Sequence, residues 1–352
     1  MTITIRHILL CLSICCVVPS VASAAQFDNS LSGQIIDAST GEPVYYVNVF
    51  LANTTIGTTT NDKGHYVFKN IPPGHYSLVF SHISYEMVVE KIMVRSDSKN
   101  IYNAALEPGL IEMEPLQVNQ IRDRTWRALF ERFEKEFLGY SDNAEACEFE
   151  NPEVMHLVND EDENLFYGKT LLPLEMTHHN FGYKVSIIIR SFRVTDSRVS
   201  FIVLPVYSEM QPNNEKQLET WRDNRKNAFY GSYRHFFYSL FFRQLEEAGF
   251  TVESVEDAKR FRSYTETFTS QSAVNEIYSN TDYGLLKKVH FQNFLRIRHN
   301  NNWAQTSFLK LPFDTVVVDL SGNTLSDFKI ERLGYWGQRR FAERLPIDYL
   351  PQ

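Results

Sequence analysis

Five residues within a short stretch of this sequence carry complementary chemistry: Trp221, Arg225, Tyr230, Ser232 and His235. Trp221 and Arg225 stand at i and i+4, the spacing that puts two side chains on one helix face, where a guanidinium can stack on an indole. Gly231 then breaks the helix, so Tyr230, Ser232 and His235 can come back to the same junction. Aromatic rings and hydroxyls beside an Arg suit an anionic or sugar-like ligand. A hydrolase working through Trp221, Arg225, Ser232 and His235 is the alternative use of the corner. The structural reading competes with both and weighs more, because aromatic residues at helical spacing ordinarily face a core.

Other chemistry-bearing residues form weaker sets. His178 and His179 are adjacent, and neighbours in a strand point to opposite faces, so the pair does not easily share one ion even with His290 or His299 brought near by folding. Cys147 and His235 have the residue types of a nucleophile and its base, but no spacing selects them. The run Asp160 to Glu163 lacks the alternating ligand and Gly pattern of a calcium loop and reads as a solvated hairpin tip. No G-x-S-x-G, P-loop or G-x-G-x-x-G occurs. Near the end, Arg339, Arg340 and Arg344 surround Tyr335, Trp336 and Phe341. Such a segment docks a membrane surface or a partner, or closes the fold with its rings packed and its arginines paired to acids; the second reading is preferred.

The elements that must position these residues follow from periodicity. From Ser32 to Leu106 seven short apolar-rich segments alternate with Gly, Pro and Asn turns, which is the pattern of a β-sandwich: Ser32–Ile36, Tyr46–Leu51, Thr54–Thr59, His65–Phe68, His75–Phe80, Met87–Val94 and Ile101–Leu106. The period then changes. Trp126, Leu129, Phe130, Phe133 and Phe137 mark one face of a helix over Arg122–Leu138, closed by Gly139. Strand-like runs follow at Glu148–Leu157, Leu165–Leu171, Tyr183–Phe192 and Val199–Tyr207, then helices at Glu215–Phe229 and Tyr233–Ala248, the latter capped by Ser232 and ended by Gly249. Further strands are expected at Leu285–Arg296, Gln305–Leu311, Thr315–Leu320 and Asp327–Leu333. This second region reads as an α+β domain with an antiparallel sheet and helices on one face.

Composition bounds the role. In 352 residues, 43% are hydrophobic, 14% aromatic and 22% charged, which is globular stock with room for two or three domains. Lys plus Arg number 35 against 43 Asp plus Glu, so no general electrostatic grip on nucleic acid is expected. Arg6 and His7, the apolar run Ile8 to Val18 and Ala22-Ser23-Ala24 read as a secretory signal over 1–24, cleaved before Ala25. The apolar run is too short to span a bilayer. Of the four cysteines, Cys11, Cys15 and Cys16 leave with the signal, and Cys147 remains without a partner for an intrachain disulfide.

The runs Gly33-Gln34-Ile35-Ile36-Asp37, Gly41-Glu42-Pro43-Val44, Thr60-Asn61-Asp62-Lys63-Gly64-His65-Tyr66, Pro73-Gly74-His75-Tyr76-Ser77-Leu78 and Ser81-His82-Ile83-Ser84-Tyr85 resemble the carboxypeptidase-regulatory-like domain, with Ser84 where that family usually has Gly. The resemblance implies a prealbumin-like sandwich of the kind carried by exported proteins of the Bacteroidota type. It does not bring peptidase chemistry, since no His has Glu three positions on and H-E-x-x-H is absent. The second region is similar to an exported-protein family that carries this domain at its front, through Phe137-Leu138-Gly139, Asn143-Ala144, Cys147, Asn151-Pro152, Pro173-Leu174, Gly182-Tyr183, Trp221, Arg225, Tyr230-Gly231-Ser232, His235-Phe236, Gly334-Tyr335-Trp336 and Leu345-Pro346. That family implies an address more than an activity.

The expected organisation is therefore a signal over 1–24, a seven-stranded, prealbumin-like all-β sandwich over 31–107, a linker over 108–120 and the α+β domain over 121–352. The expected role is a non-catalytic binding or scaffolding component of the cell envelope, in the periplasm or at the outer membrane or cell surface. Its partner is an envelope protein or a glycan, with peripheral membrane association open and no transmembrane span in the mature chain. The sequence calls for no cofactor, no metal and no nucleic acid. The alternative is a hydrolase acting on an envelope polymer through the Trp221, Arg225, Ser232 and His235 corner.

Overall fold

The computed structural model describes residues 29–95, 99–109, 124–170, 172–196, 198–255, 266–267, 277–281, 284–311, 315–325 and 330–351. The signal segment 1–24 and most of the linker 108–120 lie outside these described residues. Strand is the commonest regular element of the described chain, paired largely antiparallel, with few helices.

The front of the chain contributes β1 (Ser30–Asp37), β2 (Asn48–Leu51), β3 (Gly57–Thr59), β4 (His65–Lys69), β5 (Gly74–Ser81), β6 (Val88–Val94), β7 (Asn100–Ile101) and β8 (Ala104–Leu106). They form two facing sheets. One has the order β4-β1-β7 with β8 also on β1, and the other runs β3-β2-β5-β6. The pairings of β1 with β7 and β8 are parallel, because the chain returns alongside its own first strand instead of turning back on it. Alternation supplies the core: Leu31, Ile35, Val47, Val49, Leu51, Leu78, Phe80 and Val94 point inward and are buried. The segment expected to start a strand at Tyr46 starts at Asn48, since Tyr46 takes a left-handed φ of 64° that no strand accommodates. Ser84 needs no glycine conformation, for its φ is not positive in the turn that Tyr85 N–H closes onto the His82 carbonyl at 3.2 Å.

A second core lies under α1 (Arg124–Leu138), α2 (Asp142–Glu145) and the strands β9 (Cys147–Phe149), β10 (Met155–Asp160), β11 (Leu165–Thr170), β12 (Leu174–His178), β13 (Tyr183–Thr195) and β14 (Arg198–Glu209). These strands make one antiparallel sheet, with β13 paired to β11, β12 and β14. α1 lays Phe130, Phe133 and Phe137 on that sheet, where Phe133 meets Phe192 edge to face at 5.0 Å. Each phenylalanine so buried stabilises the contact by roughly 1.5–3 kcal/mol. The expected single strand Glu148–Leu157 is two strands, because Pro152 opens a 3-10 turn between them. The acidic run 160–163 is the tip joining β10 to β11.

The chain continues through α3 (Glu215–Phe229) and α4 (Tyr233–Phe241) into β15 (Phe250–Val255), β16 (Glu266–Thr267), β17 (Tyr278–Asn280), β18 (Leu286–Val289), β19 (Phe294–His299), β20 (Ser307–Lys310), β21 (Val316–Asp319), β22 (Glu331–Gly334) and α5 (Tyr335–Gln338). Here lies a third core, of Phe236, Phe237, Leu240, Val252, Leu295, Ile297, Leu309 and Trp336. α4 ends at Phe241 rather than at Ala248, since Arg243 adopts a φ of 60° and turns the chain out of the helix.

The cores are joined in two ways. Phe50, Ala52 and Val79 of the sandwich pack on Ile188 and Leu204 of the middle sheet, and Asn53 and Thr54 extend the edge of β14 through Asn53 N–H to Pro205 O at 2.6 Å and Tyr207 N–H to Thr54 O at 2.9 Å. The carboxy-terminal segment then crosses all three. Trp336 enters the third core, Phe341 and Ala342 the second, and Ile347 packs against the sandwich core while its N–H donates to Asn53 O at 2.7 Å. Arg234 of α4 holds this strap, donating to the carbonyls of Pro346 at 2.7 Å, Ile347 at 2.9 Å and Tyr349. Arg339 pairs with Glu343 at 2.7 Å, Arg340 with Glu136, and Arg344 lies over the Phe201 ring.

Candidate functional site

Trp221 and Arg225 share one face of α3, as their spacing predicts, and that face presses onto the turn between β12 and β13. The contact depends on Gly182, whose φ is 66° and whose Cβ, if present, would lie 2.2 Å from the Trp221 ring. Trp221 Nε1 donates to His179 O at 2.8 Å. Arg225 Nε donates to Phe181 O at 2.7 Å and its Nη1 to Glu209 at 2.8 Å. The expected stacking of Arg225 on Trp221 is replaced by stacking on Tyr183, at 3.9 Å from the ring centroid, because both α3 side chains point down at the turn rather than toward each other.

Tyr230, Ser232 and His235 gather one turn further on. Gly231, with φ of 72°, makes the break, and the Tyr230 ring stands edge-on to His235 at 5.1 Å. Ser232 Oγ accepts the His235 N–H as the N-cap of α4, and His235 Nδ1 accepts the Gly231 N–H at 3.1 Å. His235 is 6% exposed among Phe229, Phe250 and His299. Burial first, then the neighbouring His299, holds its pKa down to about 4. The constellation thus divides into a pair on the turn between β12 and β13 and a trio at the start of α4, with the Ser232 and His235 side chains bonded to backbone.

The remaining sequence candidates are placed as follows. His178 is buried, stacked on Phe181, with Nε2 against Ala342 O at 2.9 Å, while His179 faces out toward Glu148. Cys147 donates to Asn143 O at 3.2 Å, and burial pushes its thiol up to about 12. Among the described residues no group of three or more His, Cys, Asp or Glu is placed to hold a metal ion, and no helix is long and apolar enough to cross a membrane.

What the geometry does open, directly above Arg225, is a cleft of about 510 Å³. Its floor is Arg225 with Tyr183 and Glu209. One wall is the solvent face of α3, with Leu218, Arg222, Asp223 and Lys226, and the other is Asp348 to Pro351 of the strap, with Thr55 reaching in from the sandwich. Asp348 is fixed there by the Thr55 backbone N–H at 3.1 Å. Of the five candidates only Arg225 lines this cleft. The others were missed for a plain reason: Arg222, Asp223 and Lys226 look like any solvated helix face, and their partners are distant in sequence.

The family model of the CarboxypepD_reg-like domain matches residues 31–118. No curated protein matches the chain. Among solved structures, a pilus 2b backbone protein of group B streptococcus is 16% identical over 24% of this chain and 42% of its own length, with a TM-score of 0.21. The chain thus spans less than half of that protein. A 5-hydroxyisourate hydrolase of Klebsiella pneumoniae is 24% identical over 23% of this chain and 91% of its own, with a TM-score of 0.20. A DUF3823 family protein from Bacteroides ovatus is 12% identical over 52% of this chain and 82% of its own, with a TM-score of 0.19. Likenesses at these scores carry nothing about role. Over residues 31–118 this chain carries a carboxypeptidase-regulatory-like domain at its front.

Proposed function

We propose that this protein is an exported, non-catalytic binding component of the cell envelope, and that it holds its ligand in the cleft over Arg225. The single observation that carries the reading is the construction of that cleft, to which the sandwich, the middle sheet, α3 and the carboxy-terminal strap each contribute lining residues. Concave sites with a few fixed polar groups at the junction of packed units are where ligands ordinarily bind. Arg225 and Tyr183 form a rigid floor, while Arg222, Asp223 and Lys226 are exposed and free to turn toward a guest. Donors and acceptors stand together, which suits a polar ligand such as an envelope glycan or a polar protein segment.

The export half of the reading rests on the leader over 1–24 and on the front domain, which resembles those of exported proteins. We further read the domains as 31–107 and 121–352 joined by 108–120, the second built on two cores. The test of binding is thermal denaturation of the mature protein with fractionated envelope polymers and proteins, beside the variant Arg222→Ala/Asp223→Ala. A fraction should raise the melting temperature of the wild type and leave the variant, folded equally well, unmoved. A rise of equal size in both would place the ligand elsewhere. The test of export is the mature amino terminus, expected at Ala25.

A further inference from the structure

The cleft does not end at the strap. Tyr349, which lines it, lies against the buried ring of Phe229 at 6.4 Å, and around the same ring stand Tyr230 at 5.7 Å and Tyr238 at 6.2 Å. Tyr238 continues to Phe242 at 4.8 Å, one helical turn along α4. Tyr230 is 48% exposed, Phe242 44% and Leu350 43%. Three separate elements, the end of α3, α4 and the strap, therefore gather their rings around Phe229 beside the cleft, with Phe242 following Tyr238. Large aromatic side chains left half in water at the mouth of a concavity are expected where a ligand covers them.

Resting on the binding role proposed above, we propose that the ligand is a neutral glycan chain, seated by one end in the cleft and laid over Tyr349, Tyr230, Tyr238 and Phe242. Charge decides against a polyanion: the lining holds Arg222, Arg225 and Lys226 against Glu209, Asp223 and Asp348, so the cleft has no net field of either sign. Such a mixture instead supplies donors and acceptors together, which match hydroxyls that do both. A sugar ring has an apolar C–H face and a polar rim, and a tyrosine has an apolar face and a polar tip. Shape decides against a broad protein surface. Laid flat on the rings, it would roof the cleft and take Arg222, Asp223 and Lys226 out of water together, which is costly unless each finds a partner. A narrow chain fills the cleft and covers the rings while leaving those charges at the rim.

The experiment is gel retardation of the mature protein in neutral polysaccharides (amylose, laminarin, mannan and xylan), followed by titration calorimetry with the two-ring and six-ring oligosaccharides of the polymer that retards it. Wild type should bind six rings at least about tenfold more tightly than two, the loss expected for stripping a contributing aromatic from a binding surface. Tyr230→Ala/Phe242→Ala should bring the six-ring affinity down to the two-ring value and leave the two-ring value unchanged. The ring-preserving Tyr230→Phe/Phe242→Tyr should keep the length dependence, which separates contact from folding. Equal affinity for both lengths in the wild type, with both lost in Arg222→Ala/Asp223→Ala, would overturn the role of the rings and leave the cleft reading standing. Retardation by none of the neutral polymers, whether or not an anionic lipopolysaccharide or a protein binds, would overturn the neutral glycan.

Discussion

His235 offers a quantitative way to tell a buried structural histidine from a working base. In the folded chain its pKa is about 4, against the ordinary 6.5 that the unfolded chain retains. Between these values the unfolded state binds more protons than the folded one, so stability that is present above pH 6.5 is lost as pH falls toward 4. A difference of that size corresponds to about 2 kcal/mol lost at pH 5 and about 3 kcal/mol at pH 4. The control is His235→Asn, whose Oδ1 can accept the Gly231 N–H that Nδ1 now accepts but which carries no titrating group. His178, His75, His82 and His299 are also held down by burial and remain in both proteins, so the difference between the two curves reads residue 235 together with its coupling to His299. Urea titrations at pH 7, 6, 5 and 4 should show the wild type losing about 3 kcal/mol more than the variant across the range. Parallel curves would mean that His235 is solvated or charged in the folded chain, and the hydrolase reading of the corner would gain ground.

Three further outcomes are expected. Gly182→Ala forces a side chain into left-handed backbone and against Trp221, and should cost about 2–4 kcal/mol in urea unfolding, where a surface glycine changed to alanine would cost little. Arg234→Met removes the charged donor from the carbonyls of residues 346, 347 and 349; roughly 2–4 kcal/mol should be lost, and limited proteolysis should cut the strap before the cores. Cys147, its thiol pushed up to about 12 by burial, should alkylate at pH 8 at least about tenfold more slowly than a free cysteine and recover the ordinary rate in denaturant.

The sandwich was legible because its turns are written in Gly, Pro and Asn and its strands alternate; the misses were at strand ends, with Asn48 and Gly57 starting strands expected at Tyr46 and Thr54, and in Ile101–Leu106, which is two short strands and makes eight where seven were expected. α1 and α3 were legible from their periodic stripes. The strand Leu174–His178 was not, since five residues following Pro173 carry no alternation long enough to be read, and α4 was overextended because the left-handed turn at Arg243 leaves no compositional mark. The division of the second region into two cores is set by which stripes meet across long sequence separations, information that no local window contains. The five candidate residues mark a real helix junction, but only Arg225 reaches the cleft. The rest of that lining comes from the solvent face of α3 and from Thr55, Tyr183, Glu209 and the strap, which is held in place by Arg234 and by Ile347 packing on the sandwich.

That junction is the heart of the account, and hydrogen exchange reads it directly. With saturating ligand from the retardation screen, amide protection in the mature protein should rise over 218–226 and 348–351 and along Tyr230 to Phe242, while the outer strands of the sandwich stay unchanged. Protection confined to the sandwich, with no change over α3 and the strap, would contradict the placement of the site.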